Sequence, residues 1–324
     1  MVRKWNISHR ENKIMAKQKS ISVPISKKKA PKYFNNVFIS VANSIAKKVG
    51  ANSVLIYADF SDNLDQFKEL NSKSSIILAT KDEETYTKAK KIFKNVLRVP
   101  KVNLTRIGKI KISVMKAVSA GLVVSGDKIV CLSGVQQFGY FDNLIVLDIG
   151  KEFEVFTSAN LPGKKDKLKP EVFESVLTLA IELANQGREG RPIGTIFVIG
   201  SHEKVLQFSR QLIINPFQGY QKGERNIMDP QLRETIKEFS ALDGAFVIQD
   251  DGVVTSAGRY LSAALNKEDF PQGLGSRHVA AAGITSVTDA TAIVISESTG
   301  TVRIYKKGTI FMEIEKPTKK YLNT

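Results

Sequence analysis

The sequence predicts an α/β protein of two domains, with a parallel α/β sheet in the first domain and a mixed sheet in the second. Short apolar runs alternate with segments of helical periodicity, which is typical of sheets covered by helices. The chain has 324 residues, more than one hydrophobic core usually serves. A basic segment that opens with a glycine, residues 163–169, divides the alternating pattern into two parts.

The first domain is predicted to occupy residues 35–160. Its first helix covers 36–48 and ends at Gly50, a residue suited to a helix C-terminus. Asp82 is available as an N-cap for a later helix. The predicted helices are 36–48, 60–70, 82–93 and 110–120, and the predicted strands are 53–57, 74–79, 96–99, strands within 122–134, and 143–148. Because helices and strands alternate, we expect the strands to be parallel.

The second domain is predicted to occupy residues 165–316, followed by a tail at 317–324. Pro170 suits the first position of a helix, and Asp229 can cap another. The predicted helices are 172–185, 203–212, 230–239 and 276–285, and the predicted strands are 192–200, 245–249, 253–257, 290–295 and 302–305. Turns at 250–252 and 298–300 make two hairpins, so this sheet is expected to be mixed.

Composition excludes several classes of protein. Cys131 is the single cysteine, so an internal disulfide framework and a cysteine-based zinc site are excluded. Its apolar neighbours predict a buried strand residue. No apolar stretch approaches the ~20 residues that span a bilayer. The N-terminus also lacks the apolar segment of a signal peptide. We therefore expect a soluble, cytoplasmic protein without a membrane partner.

The net charge of +16 is concentrated at the N-terminus. Residues 1–34 contain ten Lys or Arg residues and a single Glu, without a sustained apolar period. This composition predicts a disordered basic arm. The arm suits either a solubilising tail or nucleic-acid binding by counterion release. Met15 is a second candidate for the natural start of the chain.

Three polar clusters between Asp243 and Glu297 form the candidate functional site. They are residues 243–245 (DGA), 275–278 (GSRH) and 296–297 (SE), each at the edge of an apolar run. A carboxylate can accept a proton or hold a divalent cation. A helix start and an Arg fork bind phosphate. The clusters together predict a nucleotide-phosphate site, although each one alone also fits an ordinary turn, a solvated charge or a partly buried imidazole.

Six blocks of the second domain occur in the order found in the diadenylate cyclase (DAC) domain, which this region resembles. They are PIGTIFVIG (192–200), NPF (215–217), LDGAFVI (242–248), AGRYL (257–261), GSRH (275–278) and SE (296–297). The resemblance covers about residues 165–316. It implies an enzyme that condenses two ATP molecules into cyclic di-AMP and two pyrophosphates. Because one site holds one ATP, two reciprocal bonds require two sites face to face, and hence a homodimer.

The resemblance also implies roles for individual residues. Asp243 would activate the ribose 3′-hydroxyl, with Arg277 and His278 as further catalytic residues. Asp243 and His278 would meet the metal, Mn²⁺ or Mg²⁺. The implied ATP-binding residues are Gly244, Ala245, Tyr260, Leu261, Gly275, Ser276, Arg277, Ser296 and Glu297. The family motif is Arg-His-Arg, whereas this chain has Val279 at the third position. The missing phosphate contact would have to come from elsewhere, with Arg259 or the linker lysines as candidates.

The first domain resembles the C-terminal α/β domain of pyruvate kinase. The likeness lies in its strand order and in SGDKIVCLSG (125–134), and it covers about residues 36–150. No catalytic cluster is visible there, so a regulatory, ligand-sensing or assembly role is expected. Two alternatives to a cyclase stay open: a nucleotide sensor that has lost turnover through Val279, and a nucleic-acid-binding protein that acts through the basic arm.

Overall fold

The computed structural model of this chain has two domains, each built around one β-sheet. The structure describes residues 32–60, 63–70, 74–135, 139–150, 168–263 and 273–317. The predicted basic arm therefore lies outside the described residues up to position 31, as do most of the linker and most of the C-terminal tail. The first helix begins at Lys32, so the last three residues assigned to the arm belong to that helix.

The first domain is a five-stranded sheet in the order β3-β2-β1-β4-β5. Its elements are α1 (Lys32–Val49), β1 (Ser53–Tyr57), β2 (Ser75–Thr80), α2 (Glu83–Ile92), β3 (Asn95–Arg98), α3 (Arg106–Ser119), β4 (Lys128–Val135) and β5 (Tyr140–Asp148). The first four strands are parallel, as predicted. β5 is antiparallel to β4. The connection between the two strands is as short as that of a hairpin, whereas a parallel pairing would require a longer crossover connection.

Two predicted elements of the first domain are wrong. In place of the α-helix predicted at 60–70, the described residues of this segment make 3₁₀ turns at Ala58–Phe60 and Asp65–Glu69. Leu64, Phe67 and Leu70 are all buried, and their spacing of three suits a 3₁₀ segment, whose side chains eclipse every third residue. Of the strands predicted within 122–134, the one before the turn at Gly126 is absent: residues 122–125 form no strand, Gly126 has a φ of +92°, and β4 begins at Lys128.

The second domain is a seven-stranded mixed sheet in the order β12-β11-β10-β6-β8-β9-β7. Its elements are α4 (Pro170–Gln186), β6 (Thr195–Ile199), α5 (His202–Gln207), β7 (Ser209–Gln211), α6 (Pro230–Phe239), β8 (Ala245–Ile248), β9 (Val254–Leu261), α7 (Ser276–Val287), β10 (Thr291–Ile295), β11 (Val302–Lys306) and β12 (Thr309–Ile314). β6 and β8 are parallel. The other pairings are antiparallel.

The predicted helix at 203–212 is too long, because the chain leaves α5 after Gln207 and adds β7 to the edge of the sheet. β12 was not predicted. Its strand follows a tight turn at Lys307 and Gly308, both at positive φ, and only half of its residues are buried. The predicted caps are confirmed: Asp82 accepts a hydrogen bond from the Thr85 amide, and Asp229 accepts one from the Gln231 amide.

Helix α3 connects the two domains. The Lys111 ammonium donates to the backbone carbonyl of Glu313 in β12, at 2.9 Å. The Lys116 ammonium lies 2.8 Å from the Glu174 carboxylate in α4. A single cluster of buried apolar side chains continues from the first sheet into the second domain. Cys131 is fully buried in it, and burial raises the pKa of its thiol above the ordinary range.

No helix in the described ranges is both long enough and apolar enough to cross a membrane.

Candidate active site

The sheet topology brings the three predicted clusters to one edge. β10 is antiparallel to β6, whereas β8 is parallel to β6. The carboxyl end of β10 and the amino end of β8 therefore lie at the same edge of the sheet. Glu297 follows β10 and Asp243 precedes β8, while Arg277 stands in the first turn of α7. Residues more than 30 positions apart in sequence thus share one site.

Arg277 lies between the two carboxylates. Its Nη1 donates to Glu297 Oε2 at 3.0 Å, and its Nη2 to Asp243 Oδ1 at 3.4 Å. The Asp243 side chain is 88% exposed, compared with 58% for Glu297 and 34% for Arg277. The long contact and the high exposure leave the Asp243 carboxylate accessible to an incoming group.

Gly194 is a site residue that sequence reasoning missed. A Cβ at this position would lie 2.7 Å from Arg277 Nη1 and 2.8 Å from the Cβ of Glu297. The guanidinium therefore packs against the Gly194 backbone in space that any side chain would fill. The sequence signal for this residue was a glycine directly before β6, between Ile193 and Thr195. A glycine beside a strand often marks a place where another group approaches the backbone closely.

Gly244 is required by the sheet itself. Its φ is +104°, and a Cβ there would lie 2.6 Å from the Gly258 carbonyl carbon and from the Arg259 nitrogen. The backbone of β9 therefore occupies the space beside Gly244. Ala245 is fully buried in the sheet. Both residues set the position of the Asp243 carboxylate.

The start of α7 faces an open cleft. Gly275 is the N-cap, no side chain caps the helix, and Ser276 is exposed. Exposed N-terminal amides of a helix attract phosphate. A cleft of about 600 Å³ begins here and extends to the loop after β10, where it is lined by Ser296, Glu297 and Thr299. Such a volume suits a nucleotide-sized ligand.

His278 is buried at the back of this cleft. Its side chain is 4% exposed. Nδ1 lies 3.1 Å from the Tyr305 hydroxyl, and Nε2 lies 3.5 Å from Arg303 Nη1. Burial, together with the charge of Arg303, lowers the pKa of His278 to about 4. Both ring nitrogens thus face protein groups, and a metal ion would have to displace one of them.

Arg303 is a second site residue that sequence reasoning missed. It lines the cleft beside His278, and it is held by Glu313 through contacts of 3.0 and 2.9 Å. The signal was a charged residue between the apolar residues Val302 and Ile304 of β11. Arg259, one candidate to replace the missing motif Arg, is instead bonded to Ser209 and to the Leu206 carbonyl. The linker lysines 163–167 lie outside the described residues.

Tyr260 and Leu261 differ in accessibility. Tyr260 is 50% exposed, and the Arg210 guanidinium lies 5.1 Å from its ring centroid. Leu261 is 5% exposed and packs in the smaller core cluster of the second domain. Only the Tyr260 side chain can therefore meet a ligand, and Leu261 can contribute only backbone.

The site suits a divalent cation that is bound partly by a phosphate ligand. Across the described part of the chain, no group of three His, Cys, Asp or Glu side chains is arranged to hold a metal ion. Mg²⁺ is commonly bound by one or two carboxylates together with substrate phosphates. Asp243 and Glu297 supply such carboxylates at 88% and 58% exposure. The donor set therefore fits a cation that arrives with a triphosphate.

Two protein families match parts of this chain. Residues 182–310 match the family described as "DisA bacterial checkpoint controller nucleotide-binding" (DAC). Residues 35–157 match the family described as "Probable sensor domain DacZ_P". The fold and the site thus define a nucleotide-binding α/β domain joined to a second α/β unit.

Two relatives match the chain over most of its length. The chain is 34% identical over 258 residues to a protein of Methanocaldococcus jannaschii named diadenylate cyclase, covering 78% of this chain and 81% of that protein. It is also 34% identical over 269 residues to a diadenylate cyclase of Haloferax volcanii, covering 81% and 92%. The chain belongs to the diadenylate cyclase family.

Solved structures resemble the chain only loosely. DacA from Staphylococcus aureus aligns with 47% of the chain at 21% identity and a TM-score of 0.31. A pyruvate kinase from Cryptosporidium parvum aligns with 36% at 17% identity and the same TM-score of 0.31. Neither likeness is close enough to assign a role to a residue.

Proposed function

We propose that this chain condenses two ATP molecules into cyclic di-AMP and two pyrophosphates, with a divalent cation, at a face-to-face dimer of its second domain. The observation that carries the proposal is the Arg277 guanidinium between the Asp243 and Glu297 carboxylates, in a cleft that is lined by the uncapped start of α7. Membership of the diadenylate cyclase family supports it.

The reaction needs an attacking 3′-oxygen, an α-phosphorus and a pyrophosphate leaving group held in line. Asp243 is the proposed acceptor of the 3′-hydroxyl proton, because its carboxylate is the most accessible in the site. A bound divalent cation would neutralise phosphate charge. Asp243 and Glu297 are the residues proposed to hold it.

Arg277 is the proposed phosphate ligand. Its two contacts with carboxylates are long or exposed, so phosphate oxygens can compete for the guanidinium. Ser276 and Ser296 extend the polar lining on either side of it. The buried, neutral His278 is proposed to hold Arg303 in position at the back of the cleft. Arg303, which is paired with Glu313, lines the same cleft and is the proposed source of the phosphate contact that Val279 cannot make.

One assay tests the activity. Purified full-length protein with ATP and Mn²⁺ or Mg²⁺ should release cyclic di-AMP and pyrophosphate in a ratio of about one to two, measured by chromatography. Asp243→Asn should abolish the product while ATP binding remains. Asp289→Asn, an exposed carboxylate at another edge of the domain, should leave the rate unchanged. Release of pyrophosphate without the cyclic product would rule out the proposal.

A second assay tests the dimer. If two protomers each supply one ATP, the initial rate should rise with about the square of protein concentration below the dimer dissociation constant. Sedimentation at the same concentrations should show the shift from monomer to dimer. A rate per protomer that does not change as the protein dissociates would contradict the face-to-face arrangement.

A further inference from the structure

Strand β12 contacts both the first domain and the back of the nucleotide cleft. It stands at the end of the second sheet, next to β11. The Lys111 ammonium of α3 donates to the Glu313 backbone carbonyl at 2.9 Å. The Glu313 carboxylate accepts from the Arg303 guanidinium at 3.0 and 2.9 Å. Glu313 therefore touches the first domain through its backbone and a residue of the cleft through its side chain.

The pair of Glu313 and Arg303 transmits the position of β12. The two residues are direct partners in the antiparallel pairing of β11 with β12, so their side chains lie on the same face of the sheet. Nε and Nη2 of Arg303 both donate to the carboxylate, and such a two-point contact fixes the orientation of a guanidinium as well as its distance. The side chains are 14% and 34% exposed, so solvent screens this pair less than a pair on the open surface.

Arg303 in turn constrains His278. A guanidinium can only donate a hydrogen bond, so the 3.5 Å contact from Arg303 Nη1 requires Nε2 of His278 to be the acceptor. Nδ1 then carries the proton and donates to the Tyr305 hydroxyl at 3.1 Å. The neutral imidazole is thus held on both sides in the first turn of α7, directly after Arg277. Its orientation sets how the start of this helix faces the cleft.

α3 makes a second contact with the other domain, and this contact does not involve β12. The Lys116 ammonium lies 2.8 Å from the Glu174 carboxylate in α4. Two lysines of one helix thus bind two different elements of the second domain. Loss of either one removes a contact between the domains, but of the two only Lys111 touches the strand that holds Arg303. Lys116 therefore provides a matched comparison for Lys111.

We infer that Lys111 of the first domain is a positioning residue for the nucleotide site, acting through β12, Glu313 and Arg303 on the start of α7. Its kinetic consequence rests on the proposed cyclase function, in which Arg303 contacts phosphate. Lys111 itself touches no substrate. A change in the first domain that draws α3 away from β12 should release the Glu313 carboxylate and weaken the hold on the triphosphate. Because coupling between two sites is reciprocal, bound nucleotide should also strengthen the contact between α3 and β12.

Steady-state kinetics of the full-length protein test the kinetic consequence. Lys111→Met should raise KM for ATP by about fivefold and leave kcat within about twofold, because a phosphate contact made before and during the reaction affects mainly binding. Lys111→Arg should restore KM, since a guanidinium also donates to a carbonyl. Lys116→Met should leave KM unchanged. An equal rise in Lys111→Met and Lys116→Met would show general loosening of the domains and would overturn the inference.

NMR of the histidine rings tests the same contacts without any turnover. The chain has three histidines, and the His278 resonance can be assigned by its loss in His278→Gln. Lys111→Met should shift this resonance and leave that of His202, which begins α5 at the opposite edge of the sheet, in place. A wild-type protein that makes no cyclic di-AMP would remove the proposed function alone. A His278 resonance that does not move in Lys111→Met would overturn the positioning role.

Two further variants test the route. Arg303→Met should shift the His278 resonance by itself, and adding Lys111→Met to it should cause no further shift, because both changes act through one contact. Additive shifts would mean that Lys111 acts by another route and would contradict the inference. Glu313→Gln covers the case in which Lys111→Met does not fold. It keeps the backbone carbonyl that Lys111 binds, removes the charge that holds Arg303, and should shift the same resonance; an unmoved resonance would again be the contrary result.

Discussion

The Arg277 guanidinium packs against the backbone of Gly194, with so little space between them that a Cβ on Gly194 would come within 2.7 Å of Nη1. This contact sets where the guanidinium stands between its two carboxylates. The position of this charge therefore depends on Gly194, a residue without a side chain that lies far from α7 in the sequence.

Gly194→Ala should lower kcat/KM of the proposed cyclase by about tenfold to a hundredfold, because small displacements of a positioning group have large kinetic effects. The fold should survive, since Gly194 has no positive φ. Steady-state kinetics and thermal unfolding measure the two effects. Gly223→Ala, where a Cβ meets nothing within 4 Å, is the control. A variant with full activity would contradict the role of this contact.

Gly244→Ala should destabilise the protein by about 3 kcal/mol, combining backbone strain with overlap. The φ of +104° disfavours an L residue, and the Cβ would lie 2.6 Å from backbone atoms of β9. Urea unfolding measures the free energy. Gly126→Ala isolates the strain, because Gly126 has a φ of +92° but nothing within 4 Å, and it should lose only about 1 kcal/mol. Equal losses in both variants would show that overlap contributes nothing.

His278 should make stability depend on pH. Its pKa in the folded protein is lowered from 6.5 to about 4, so the unfolded state binds the proton first as the pH falls. The stabilisation is fully present above pH 6.5 and is lost progressively down to about pH 4, by on the order of 3 kcal/mol. His278→Gln should show a smaller slope of unfolding free energy between pH 7 and 4.5. Identical slopes would be the contrary result.

The Lys116–Glu174 pair should couple the two domains. The atoms lie 2.8 Å apart, and the side chains are only 18% and 25% exposed, so water screens the pair less than a surface ion pair. A double-mutant cycle with Lys116→Met and Glu174→Gln should give a coupling energy on the order of 1 kcal/mol. The exposed pair Lys88–Glu84, at 63% and 76% exposure, should give less. Additive effects of the two substitutions would mean that the contact contributes no coupling.

Local sequence patterns predicted most of the architecture. Hydrophobic periodicity and the residues typical of turns and helix caps identified β1 at its observed bounds and the caps at Asp82 and Asp229. They failed where tertiary contacts override local preference. The polar positions of 60–70 predicted a helix, whereas the chain makes a 3₁₀ turn at Asp65–Glu69. Phe67 in this turn, and Leu64 and Leu70 at its two ends, are buried in the core.

The sequence by itself determined the two-domain α/β class and the identity of the polar clusters, because these depend on periodicity, turn residues and motif order along the chain. Only the tertiary structure decided which residues meet. The structure identified Gly194 and Arg303 as further site residues, and it showed that His278 is buried against Tyr305. The physical reason is that strand pairing β10-β6-β8 joins distant segments at one edge, and neither the space beside a glycine nor the burial of an imidazole is expressed in local sequence.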